Sequence, residues 1–83
     1  MKVVDIRFVK EADRKKQQAQ AEMMQKLSDR LPERIAEQFN NVQVRVRFSS
    51  SSGLDISGFR GEEKERFMTL LEEIWDDPFL LDD

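Results

Sequence analysis

Apolar and polar positions alternate over the first ten residues, with Val4, Ile6 and Phe8 on one side and Asp5, Arg7 and Val9 on the other. A two-residue period from Val3 to Lys10 predicts a half-buried strand. The period then lengthens. Met24, Leu27, Leu31, Ile35 and Phe39 recur every three or four residues and so share one face of a helix that Asp13 is placed to cap. Pro32 falls inside that pattern. It lacks an N–H and crowds the preceding turn, which predicts a kink or a break into two helical pieces. Asn40 and Asn41 supply the stop.

Alternation returns in Val42, Val44, Val46 and Phe48, with Gln43, Arg45 and Arg47 between them, as a second strand. The polar run from Ser49 to Gly53 predicts a loop that returns the chain, as an antiparallel hairpin, into a short strand carrying Leu54 and Ile56. Gly58 and Gly61 bracket a turn, Glu62 and Glu63 favour a helix start, and Phe67, Leu70, Leu71 and Ile74 mark a buried face until Pro78 stops the helix. The order β-α-β-β-α, with one apolar face on every element, predicts an α+β fold. Its three-stranded mixed sheet would carry two helices packed on one face. Phe8 and Phe48 would point into the core, leaving Arg7, Arg45, Arg47 and Asp55 on the face open to water.

Composition narrows the function. A chain of 83 residues with 39% hydrophobic content supports one small domain, residues 1–83, around one core. Cysteine is absent, which removes disulfides, thiolate catalysis and thiolate metal sites and fits a reducing compartment. No run approaches the roughly 18 apolar residues of a membrane span, and the N-terminus lacks a signal-peptide core, so a cytoplasmic protein is expected. Histidine and tyrosine are also absent, and no serine has a candidate base beside it, so the chain is expected not to be an enzyme. Neither glycine-rich phosphate motif occurs, and no cofactor is expected. Asp76, Asp77, Asp82 and Asp83 lack the spacing of a calcium loop, so no specific metal site is expected either.

The net charge of −3 hides an asymmetry: residues 1–57 carry 11 Lys and Arg against 8 Asp and Glu, while residues 58–83 carry 3 against 9. The final segment is therefore at −6 and the remainder at +3. At 100° per residue, Glu62, Glu65, Thr69, Glu72, Glu73 and Asp76 fall opposite the apolar face of the last helix, with Met68 and Trp75 together on one border. Carboxylates near a helix start suit its partial positive charge, whereas Glu72, Glu73, Asp76 and Asp77 crowd the negative end, each at a cost of about 0.3–1 kcal/mol. Such a ridge is either a solvated face or a surface for a cationic partner; the aromatic and methionine edge favours the second. Arg7, Arg45 and Arg47 form a smaller competing patch that could touch nucleic-acid phosphates, but no aromatic shares their face to stack on bases.

The helix ending RLPERIAEQF, the strand VQVRVRF, the GLDISG segment from Gly53 to Gly58, and the EEKERF and LLEEIW runs together resemble the DinI-like family. These are small bacterial proteins induced by DNA damage that bind the RecA recombinase. The resemblance rests on the order and spacing of these runs over most of the chain. It implies a partner, the RecA-type filament, engaged by an acidic C-terminal helix that imitates the backbone of single-stranded DNA. It further implies an influence on filament stability and on RecA-stimulated self-cleavage of repressors. Glu62, Glu63, Glu73 and Asp76 fall where that family is acidic, and Trp75 where it carries tryptophan, while Glu65 and Glu72 extend the ridge by helix geometry alone. A monomer without direct nucleic-acid or membrane binding is expected. The alternatives are a small nucleic-acid-binding module using Arg7, Arg45 and Arg47, or a plasmid or prophage accessory protein that binds another host protein.

Overall fold

A computed structural model describes residues 1–81. Its elements are β1 (Lys2–Phe8), α1 (Arg14–Ala36), β2 (Val42–Phe48), β3 (Gly53–Ser57) and α2 (Glu62–Trp75), in the predicted order. Val4 and Ile6 of β1 are buried with Leu27, Leu31 and Ile35 of α1 and Phe67, Leu70, Leu71 and Ile74 of α2 in a single cluster. Both helices therefore cover the same face of a three-stranded mixed sheet.

The sheet order corrects the hairpin expectation. β1 is the central strand, paired in parallel with β2 from Lys2↔Val42 to Phe8↔Phe48, and antiparallel with β3 from Val3↔Ser57 to Arg7↔Gly53. The serine loop does reverse the chain, but it carries β3 past β1 to the far edge instead of back along β2. Two strand spacings amount to about 9–10 Å, within reach of a four-residue connection. The Ser49 N–H, donating to the Phe8 carbonyl at 2.9 Å, ties the loop to the end of β1. In this central position Val4 and Ile6 are 0% and 4% exposed.

α1 is also simpler than expected. It runs unbroken through Pro32 from its cap, where the Asp13 side chain accepts the Lys15 N–H at 2.8 Å. A proline at this position removes one internal bond, that to the Ser28 carbonyl. Ser28 is exposed, so water can satisfy that oxygen, while buried Leu31 and Ile35 hold the helix on the core from either side of the proline. Phe39, expected on the helix face, lies beyond the helix end. There it packs edge-on against Phe67 and Phe59, with centroids at 5.2 and 6.1 Å.

Three further residues depart from the sequence reading. Phe59, between the two turn glycines, is buried and stacked on Phe67 at 4.1 Å. Gly58 makes this possible: its φ is +84°, and a Cβ there would stand 2.4 Å from the Met1 carbonyl oxygen. Leu80, beyond Pro78, folds back into the core, where the Arg30 guanidinium donates to its carbonyl at 2.9 Å. Phe48 shares the register of Phe8 at the end of an edge strand but stays 44% exposed there, while Phe8 opposite it is half-buried.

Candidate interaction site

α2 begins at Gly61, which has no capping side chain; Glu62, Glu63 and Glu65 in the first turn supply the negative charge that the helix start favours. Burial of Phe67, Leu70, Leu71 and Ile74 fixes the rotation of the helix, so Glu62, Glu65, Glu72, Glu73 and Asp76 face outward and are exposed. Among the described residues none of these five forms an ion pair. The last turn of the helix has no basic residue of its own.

Two neighbouring carboxylates are placed differently. Glu63, one of the predicted site residues, is half-buried and accepts a hydrogen bond from the Lys2 Nζ at 2.9 Å. That ammonium also lies 5.7 and 5.9 Å from the Phe59 and Phe39 ring centroids, so the pair closes the aromatic end of the core. Asp77 is turned toward α1. It accepts the Phe79 N–H at 2.9 Å and the Arg34 Nη1 at 2.7 Å, and these two bonds, in that order of importance, hold its carboxyl below the ordinary aspartate range. One of the four acids crowding the negative end of α2 thereby receives a cation from the other helix. Asp82 and Asp83 lie outside the described residues.

Trp75 is half-exposed on the border of the ridge beside Met68. Both side chains line a groove of about 690 Å³ between α2 and the strands, together with Leu71, Ile6, Phe8 and Leu54. Glu72 and Asp76 stand on its helical lip. The sequence marks the helical wall of this groove, but its opposite wall depends on β3 lying beside β1. With a β2–β3 hairpin, Leu54 and Ile6 would not have been neighbours.

The outer sheet face, the competing site, is largely neutralised internally. Arg47 donates two hydrogen bonds to Asp5, at 3.0 and 2.9 Å, and Arg7 donates to Asp55 at 2.6 Å. The Arg47 bond lowers the Asp5 pKa, and the Asp5 carboxylate raises that of Arg47. The Arg7 guanidinium lies over Gly53, where a Cβ would meet its Nη2 at 2.5 Å, and its Nε is buried without an acceptor. Of the three arginines only Arg45 has no ion pair among the described residues. The structure thus brings Arg7, Arg45 and Arg47 onto one face, as the alternation predicts, but interleaves them with carboxylates across the strands.

Among the described residues no group of three or more His, Cys, Asp or Glu side chains is arranged to hold a metal ion, and no helix is long and apolar enough to cross a membrane. The model of the DinI-like family matches residues 20–78. The match takes in most of α1, all of β2, β3 and α2, and starts after the polar, basic opening of α1. No curated protein and no solved structure matches the chain.

Proposed function

The chain belongs to the DinI-like family, whose role is in the RecA-related bacterial DNA-damage (SOS) response, and on that premise we propose that it is a non-enzymatic, cytoplasmic regulator that docks the outer face of α2 on RecA filaments. Binding there modulates filament stability and RecA-stimulated cleavage. The observation that carries this reading is the row Glu62, Glu65, Glu72, Glu73 and Asp76, exposed and in no ion pair among the described residues, with Arg66 the one cation beside its first half. A carboxylate row held by a buried helix face offers a fixed line of negative charge to a basic surface. Burial or an internal cation would have removed that field. Glu63, being tied to Lys2, serves the fold more than the contact, and Trp75 supplies an apolar edge.

The test is a titration of fluorescently labelled chain with RecA filaments formed on single-stranded DNA. Wild-type affinity falls as salt is added, since exposed charges are screened over about 8–10 Å. The Glu72→Lys, Glu73→Lys, Asp76→Lys variant binds about 100-fold more weakly while its circular dichroism is unchanged. Wild-type affinity in that variant would remove the ridge as the docking surface.

A further inference from the structure

The acidic ridge explains attraction to a basic surface but gives it little selectivity, since charges on an open face act at a distance and through water. The groove beside it supplies what the ridge lacks. Its floor and walls are apolar: Ile6, Phe8 and Leu54 from the strands, and Met68, Leu71 and Trp75 from α2. Leu54 points to the helical side of the sheet from the edge strand β3 and stays 42% exposed, across the groove from Trp75, which is 51% exposed. Exposed apolar side chains gathered in one concavity mark a contact surface more strongly than the same residues scattered over the molecule.

Charge around the groove restricts its occupant. The helical lip is formed by Glu72 and Asp76, both without ion-pair partners among the described residues. On the strand side the one cation, Arg7, is held by Asp55. The rim is therefore anionic around an apolar interior. Resting on the reading of α2 as the docking helix, we propose that the groove receives an apolar anchor side chain from a basic segment of the partner. Lys or Arg residues flanking that anchor would pair with Glu72 and Asp76. The ridge then draws the partner in, and the groove sets register and residence time. An apolar groove that an anchor desolvates on binding, next to unpaired charges, is the arrangement in which one aromatic or aliphatic side chain dominates binding.

Two variants and one peptide probe separate this from the charge reading. Leu54→Ser alters a side chain 42% exposed, whereas Trp75 also lines a second cavity with Met23 and Leu27 of α1, so unfolding midpoints are measured for both variants. Each variant is expected to weaken filament binding by about 10- to 30-fold. The loss is equal at low and high salt, while the ridge variant flattens the salt dependence itself. Trp75 is the only tryptophan, so 5-fluorotryptophan gives a single fluorine resonance that reports on the groove. A pentapeptide with phenylalanine between two pairs of lysines should shift it saturably. The same peptide with serine at the centre, or with glutamates in place of the lysines, should not. If both variants bind filaments like wild type, the groove proposal falls and the ridge reading stands. If filaments are not bound but the lysine peptide still shifts the resonance, the filament reading falls and the groove's preference stands. A shift that grows with the chain's own concentration, and is lost on Phe48→Ser, assigns the groove to a second copy and overturns the proposal.

Discussion

Two faces of this molecule carry dense charge, and they dispose of it in opposite ways. On the outer sheet face, residues from three strands stand side by side, so each cation has carboxylates within one strand spacing. Arg47 reaches Asp5 and Arg7 reaches Asp55 across the sheet. On α2, the side chains nearest each ridge carboxylate are three or four residues away on the same helix, where acids and neutral residues predominate and Arg66, four residues from Glu62, is the one cation. Similar charge densities thus become a self-neutralised surface in one place and an open field in the other. Counting charges along the chain does not distinguish the two; adjacency in space does.

The comparison fails first if α2 is no longer held in place. Phe67, 0% exposed and in contact with both Phe39 and Phe59, anchors the rotation that turns the acids outward. Phe67→Ala is expected to cost about 3–5 kcal/mol, much of the stability of so small a domain, and to abolish filament binding. Urea denaturation followed by circular dichroism measures the first effect, and retention of both stability and binding would contradict this account. The next largest effect reverses the roles of the faces. Replacing both Asp5 and Asp55 with asparagine frees Arg7 and Arg47, and the affinity of the sheet face for single-stranded DNA should rise above that of wild type and become salt-sensitive. Fluorescence anisotropy with a short oligonucleotide reads this gain; no gain would mean that pairing is not what silences the face.

The smallest effect concerns acid. The folded-state pKa values of Asp5 and Asp77 are lowered by their hydrogen bonds. Their contribution to stability is complete above the unfolded aspartate value of about 3.9 and is lost as pH falls through the lowered values. Wild type is therefore expected to lose urea resistance below about pH 4. Asp5→Asn and Asp77→Asn each flatten that decline.

Much of this architecture is legible in the residues alone. Alternation at β1 and β2, and the three-and-four spacing of Met24 to Ile35 and Phe67 to Ile74, state which side chains face inward. That inward set fixes which residues of α2 face out, because a helix has only one rotation that buries Phe67, Leu70, Leu71 and Ile74 together. Of the kink or break that Pro32 predicts, the break is absent. A local rule against proline in helices yields when the orphaned carbonyl is solvated and the flanking side chains are buried. Phe59 and Leu80 gave no signal, since neither lies in a periodic run and each reaches the core through a turn.

By itself the sequence determined the element order, the apolar faces and the outward row of acids on α2, all of which depend on local periodicity and on hydrophobic burial. The tertiary structure alone decided the placement of β1 between β2 and β3, and from that the pairing of Arg7 and Arg47, the diversion of Glu63 and Asp77, and the groove between Leu54 and Trp75. Strand order is set by the packing of whole elements. No period along a single strand records which neighbour it will have, so every feature that needs two strands or two helices to meet became visible only in space.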